Sequence, residues 1–196
     1  MEMTLATSVS LLAAAVGWLA VVFLWTSNIY ISFSVAILAF ILDSLDGYIA
    51  RKYHQESELG KLVDSFADLI IYLVWPLLVL FYYFNLRDPL SLVVQLIFLA
   101  SGIFRLARFC LVGYKHRGGN SGYPGLPVVF SHFNILILLL VETTPIIRFW
   151  LATVLFGFQS LLMIGSFYFP KPKTLPLIIL LLVVFTSLLI KGLNYG

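Results

Sequence analysis

Four aspartates, Asp43, Asp46, Asp64 and Asp68, crowd into one short window of a chain that is 61% hydrophobic and only 11% charged. Asp43 and Asp46 stand at i and i+3; Asp64 and Asp68 stand at i and i+4. Either spacing places both carboxylates on one face of a helix. If the two helices run antiparallel through a short turn, the two acidic faces meet. Four carboxylates so close cannot all stay ionised without compensation, by protonation or by divalent cations. Solvated helix ends and a proton or cation path through a transporter are the competing readings. Oxygen-only donors suit a hard ion, Mg²⁺, Mn²⁺ or Ca²⁺, better than zinc. No histidine shares the spacing, since His54 falls in the intervening turn. Four carboxylates can hold two such ions by sharing ligands, and paired metals clamp the attacking and leaving oxygens of phosphoryl chemistry.

The elements that must position these residues are membrane helices. The chain has 196 residues and a mean hydropathy of +1.03. A soluble domain would carry about a quarter charged residues, so the composition excludes one. A helix needs about 20 apolar residues to cross the hydrocarbon core. Seven segments meet that need: 5–25, 29–50, 61–84, 90–112, 127–143, 146–168 and 174–191. A β-barrel would alternate polar and apolar residues and turn about every ten. The expected fold is therefore all-α, a polytopic helix bundle forming one domain over 1–196. Pro76, inside the third segment, is expected to kink it. The N-terminal run has neither a basic start nor a clear small-residue cleavage site, so no cleavable signal peptide is expected. The lone Cys110 cannot form an internal disulfide.

Orientation follows the cations. One side of the seven-span arrangement collects Arg51, Lys52, Lys61, Arg105, Arg108, Lys115, Arg117, Lys171 and Lys173; the other collects Arg87, Arg148 and Lys191. The richer side is expected to be cytosolic. It carries the aspartate window and the glycine-rich stretch 113–127, whose Gly118, Gly119, Gly122 and Gly125 suggest a flexible loop that orders as a lid.

The rest of the window suits a phosphate-bearing ligand. Gly47 and Gly60 allow close approach to the backbone, and Arg51 is a bidentate donor matched to phosphate. The window reads D-x2-D-G-x2-A-R-x8-G-x3-D-x3-D. With every fixed position present, it resembles the signature of the CDP-alcohol phosphotransferases, integral membrane enzymes of phospholipid synthesis. That resemblance implies a six-helix core, a CDP-lipid donor, a second alcohol as acceptor and release of CMP. It implies two divalent cations, Mg²⁺ or Mn²⁺, one held by Asp43, Asp46 and Asp64 and the other by Asp43, Asp64 and Asp68. It places Gly47, Arg51 and Gly60 along the CDP, and makes Asp68 the general base on the acceptor hydroxyl. A base is chemically required there, because an alcohol is a weak nucleophile at neutral pH. A homodimer in the cytoplasmic membrane, facing membrane lipids and no nucleic acid, is the implied setting.

A second cluster bears on the acceptor. Arg105 and Arg108, at i and i+3, close the fourth segment. They are read either as anchors that snorkel to the interface or as donors for the acceptor's carboxylate or a lipid phosphate. "RLARF", the glycine-rich stretch with "GLP", and "LMIGSFYFPKPK" resemble the phosphatidylserine and archaetidylserine synthase branch. Thr7 and Cys110 stand where that branch often carries asparagine. The expected reaction is transfer of a phosphatidyl-type group from CDP-diacylglycerol or CDP-archaeol to L-serine. A sister enzyme using glycerol 3-phosphate or inositol phosphate is the alternative. A transporter is the remote one, since it leaves Arg51 and the two glycines without a role.

Overall fold

A computed structural model describes residues 4–26, 28–54, 57–113, 115–117, 120–141 and 143–170, with the single positions 184, 186, 187 and 190. The elements in chain order are α1 (Leu5–Trp25), α2 (Ile29–Lys52), α3 (Glu58–Asp68), α4 (Trp75–Leu78), α5 (Pro89–Val112), β1 (Lys115–Arg117), β2 (Asn120–Pro124), α6 (Phe130–Leu140), α7 (Pro145–Ile164) and β3 (Tyr168–Pro170). Five helical runs are long and apolar enough to cross a membrane: Leu5–Trp25, Ile29–Lys52, Glu58–Tyr83, Pro89–Val112 and Pro145–Ile164. The chain is an all-α, multi-pass membrane protein. The expected fifth span, 127–143, contains only the 11-residue helix α6, because its first residues are spent on a turn after β2. The expected seventh span, 174–191, falls almost wholly outside the described residues.

The fold divides into two compact units, the first running to Ile71 and the second spanning Tyr72–Lys171. In the first, α1 packs along α2 and α3. Its contact face is a stripe of small residues: Ala6, Ser10, Ala13, Gly17 and Ala20 are all buried. Small side chains let helix backbones approach closely. A Cβ on Gly17 would lie 2.7 Å from Ile71 Cγ1. The Ser32 hydroxyl donates to the Ala20 carbonyl across the α1–α2 contact at 2.6 Å. Asn28 caps α2 by accepting from the Tyr30 and Ile31 amides, and Ser57 caps α3 by accepting from the Gly60 amide.

In the second unit, α5 packs on α7, with Phe98 and Phe156 edge to face at 4.9 Å. Pro76 has a larger effect than the expected kink. The continuous run Glu58–Tyr83 is π-helical over Leu69–Val74 and again over Val79–Tyr83, on either side of the short α4. Proline brings no N–H for the carbonyl four residues before it, and its ring crowds that carbonyl. The carbonyl in question is that of Tyr72, and it accepts the Ser131 hydroxyl at 2.7 Å. His132, next in sequence, lies against the rings of Tyr72 and Trp75, both centroids at 5.1 Å. α6 is thus docked on the π-helical segment.

The glycine-rich stretch is not an open loop. β1 and β2 form a hairpin, and β2 pairs antiparallel with β3, Tyr123 opposite Phe169. Strands of three to five residues give too short an alternation to be read from sequence.

Replacing Ser131 with alanine is expected to lower the thermal midpoint of the detergent-purified chain. Leaving the Tyr72 carbonyl without its hydroxyl donor costs about 1–3 kcal/mol. An unchanged midpoint in a fluorescence melt would show that the π-helical segment needs no partner from α6.

Candidate active site

Asp43 sits near the C-terminal end of α2, while Asp64 and Asp68 lie on α3. α1 packs against both helices. One carboxylate oxygen from each of Asp43, Asp64 and Asp68 lies within 4.8 Å of the others, and all three residues are half-buried. Oxygen ligands sit about 2.0–2.6 Å from Mg²⁺ or Ca²⁺, so two of them on one ion are at most about 4–5 Å apart. The three side chains are therefore near enough to be drawn onto one hard cation. Three carboxylates with no nitrogen or sulfur donor in the set fit that class of ion and disfavour zinc.

Asp46 is not in this triad. It is almost fully buried, 4% exposed, and its Oδ2 is a buried acceptor with no hydrogen-bond partner among the described residues. Around its carboxylate stand the Ser10 side chain, the Gly47 amide and the Arg51 guanidinium. A buried carboxylate oxygen without a donor is costly, and a cation beside it would remove that cost.

Gly47 and Arg51 form one feature. A Cβ on Gly47 would stand 3.3 Å from Arg51 Nη1, so the guanidinium folds back over the bare Cα. Gly60 has a different neighbourhood. A Cβ there would lie 3.0 Å from the Ser57 hydroxyl and 3.6 Å from Thr7 Oγ1. The N-terminal turn of α1 thus closes on the start of α3. Thr7 is buried, and Thr4 Oγ1 lies 2.9 Å from its hydroxyl.

Ser10 and Ser57 are the site neighbours that motif reasoning missed, and Thr7, noted only as a departure from the related branch, joins them. The signal for Thr7 and Ser10 was present as a run of small and hydroxyl residues at three- and four-residue spacing along the first span.

Arg105 and Arg108 belong to the second unit. The Arg108 guanidinium donates to four carbonyls: Ile164 at 2.7 Å, Met163 and Pro124 at 2.8 Å and Gly165 at 2.9 Å. It caps the C-terminal end of α7, where orphan carbonyls need donors, and ties it to β2. Arg105 is 4% exposed. Its guanidinium carbon lies 5.4 Å from the Phe109 ring centroid and 5.5 Å from that of Tyr123.

Comparison with known proteins bears on the whole chain. The chain is similar to the CDP-diacylglycerol–serine O-phosphatidyltransferase of Methanocaldococcus jannaschii, 37% identical over 141 residues, which are 71% of this chain and 64% of the relative. It is 31% identical over 105 residues to the protein of that name from Mycobacterium tuberculosis, covering 54% of this chain and 37% of the relative. It is 28% identical over 128 residues to the archaetidylserine synthase of Methanothermobacter thermautotrophicus, covering 64% and 53%. The matched part is thus under two thirds of each relative's length. The family model for CDP-alcohol phosphatidyltransferase matches residues 3–189, a span that takes in all four aspartates, and the chain belongs to that family.

Proposed function

We infer that this protein transfers a phosphatidyl-type group from a CDP-lipid to the hydroxyl of L-serine and releases CMP. The observation that carries the reading is the convergence of the Asp43, Asp64 and Asp68 carboxylates within an unbroken family signature. The relatives' names favour serine over glycerol 3-phosphate or inositol phosphate. Both diacylglycerol and archaeol donors fit those names. The site is assigned to the cytosolic face of the cell membrane on the cation bias of the sequence, and a homodimer on the family resemblance.

Asp43, Asp64 and Asp68 would hold one divalent cation, Mg²⁺ or Mn²⁺. Asp46, with its orphaned oxygen, would join Asp43 and Asp64 on a second. Bound there, the ions supply charge neutralisation of the pyrophosphate. Arg51, held over Gly47, donates to phosphate oxygens, and Gly47 and Gly60 let the nucleotide approach the backbone. Asp68 accepts the proton of the serine hydroxyl. The hydroxyl oxygen bonds to the lipid-linked phosphorus, the bond from that phosphorus to the CMP oxygen breaks, and CMP departs with the electron pair. No serine, cysteine or histidine in the signature serves as a nucleophile, so no covalent enzyme intermediate forms. Arg105 is proposed for anion recognition, of an acceptor's carboxylate or of a lipid phosphate. Both terminal nitrogens of Arg108 are committed to backbone carbonyls, which leaves it a minor part in anion recognition.

The test is CMP release by the purified full chain. Chelation is expected to abolish it, and added Mn²⁺ or Mg²⁺ to restore it; activity surviving exhaustive chelation would contradict the metal site. Asp68→Asn should lower kcat by at least about a hundredfold, the scale of a lost general base, and full activity in that variant would remove Asp68 from the role. Offered L-serine, glycerol 3-phosphate and inositol phosphate in parallel, the protein should use serine. Turnover with glycerol 3-phosphate and none with serine would select the sister reaction instead.

A further inference from the structure

Ser10 interrupts the small-residue stripe of α1 with a hydroxyl. Ala6, Ala13, Gly17 and Ala20 are buried along that stripe, and Ser10 lies among them at 3% exposed. Alanine at position 10 would allow the same close approach of helix backbones, so the hydroxyl calls for another reason. Across the α1–α2 contact it stands within hydrogen-bonding reach of the Asp46 carboxylate, as does the Gly47 amide.

Its own helix holds that hydroxyl loosely. Ser10 Oγ lies 3.2 Å from the Ala6 carbonyl, long for an O–H donor, whose usual distance is about 2.7–2.8 Å. The buried serines Ser34 and Ser160 make the same bond, to the carbonyl four residues earlier, at 2.7 and 2.6 Å. A carboxylate is the stronger acceptor, and rotation of the hydroxyl carries its proton from Ala6 to Asp46. Asp46 has the matching need. It is 4% exposed, and a buried carboxylate without donors is costly. Its Oδ2 has no hydrogen-bond partner among the described residues.

We propose that Ser10 is a positioning residue of the metal site: its hydroxyl holds the Asp46 carboxylate across the α1–α2 contact and keeps Oδ2 for a divalent cation. The proposal rests on the reading of Asp46 as a ligand of the second ion. Hydrogen bonds from neighbouring groups fix the orientation of a ligating carboxylate and tune its affinity. A ligand already held in place also loses less freedom when the ion arrives. The donor is neutral, and α1 carries no charged residue. Arg51 already stands beside this carboxylate; a second cationic side chain at position 10 would repel the incoming ion. Ser10 takes no part in the transfer itself, so it acts on ion affinity and not on the rate once the ion is bound.

The experiment measures Mn²⁺ binding to the metal-stripped full chain in detergent by isothermal calorimetry, with CDP-diacylglycerol present and no acceptor. The parent is expected to bind two ions. Ser10→Ala is expected to weaken one of them roughly ten- to a hundredfold, the scale of losing a hydrogen-bond partner of a ligand. The Mn²⁺ concentration for half-maximal CMP release should rise by the same factor, while kcat at saturating Mn²⁺ stays within about twofold of the parent. Should Ser10→Ala fail to fold, Ser10→Cys keeps the shape with only a weak donor and is read in the same way. Ser34→Ala is the control. It removes a buried hydroxyl from α2 about three turns before Asp46 and should leave both Mn²⁺ affinities at the parent's values. Unchanged Mn²⁺ binding in the Ser10 variant, with or without a lowered melting midpoint, would reduce Ser10 to packing and overturn the proposal. An equal loss of affinity in Ser34→Ala would overturn it too. Asp46→Asn separates the proposal from the reading beneath it. If that variant loses one Mn²⁺ while Ser10→Ala binds both as the parent does, Asp46 stands as a ligand and the role of Ser10 fails. If Asp46→Asn binds two ions as the parent does, Asp46 is not a ligand and the role of Ser10 falls with it.

Discussion

Mutual repulsion among carboxylates inside an apolar helical frame is the constraint on which the first unit depends. Like charges a few ångströms apart repel more strongly as water is excluded from around them, and here three oxygens share a 4.8 Å neighbourhood. Nothing in a pair of acidic helix faces draws the helices together; the backbone must be held by something else. That task falls to α1. Its stripe of Ala6, Ser10, Ala13, Gly17 and Ala20 brings α2 and α3 close on either side, and the Ser32 bond to Ala20 fixes the register of one of those contacts. A first helix with leucines along that stripe would be just as apolar and would still cross a membrane. It would hold α2 and α3 farther apart, and the carboxylates would no longer converge. The acidic centre therefore depends on the small residues of a helix that carries no charge of its own.

The same helix that carries Asp64 and Asp68 abandons α-helical geometry one residue later. π-helical turns place more residues in each turn, so the face that bears the aspartates is not continued beyond Leu69. Instead Ile71, Tyr72, Leu73 and Trp75 are all nearly inaccessible, which no single amphipathic stripe could produce. Pro76 explains why the backbone departs from the α form, and Ser131 explains why the departure is tolerated, since its hydroxyl reaches the Tyr72 carbonyl that the proline cannot serve. π-helical segments recur at functional sites. Here the segment separates a polar, metal-competent surface from a fully apolar one within a single helix.

Legibility in the sequence followed the range of the signal. The first four spans were readable to within a few residues, because a long apolar run has few alternatives. The convergence of Asp43, Asp64 and Asp68 was readable too, because helical spacing is a local rule. Asp46, at i+3 from Asp43, shares the broad face that rule gives, but its surroundings, the Ser10 side chain and Arg51, were not readable, because Ser10 lies on α1, thirty-odd residues away along the chain. The sheet was illegible for a different reason. Four glycines in 118–125 argued for freedom, but in Gly122 and Gly125 the missing side chain is a packing requirement, with β3 and the end of α7 occupying the space.

Arg105 and Arg108 show how little residue type and spacing settle on their own. Both sit on one face of α5, both are arginine, and both touch β2. Arg108 meets carbonyls from α7 and β2, so both of its terminal nitrogens are engaged in closing a helix end. Arg105 packs beside the rings of Phe109 and Tyr123. The difference is set by what the next element presents. A helix terminus offers acceptors, and a tyrosine on a strand offers a ring. A guanidinium against acceptors closes a helix end, whereas a guanidinium against rings packs into an aromatic cluster. Swapping which of the two faced α7 would exchange their roles while leaving the sequence motif looking the same.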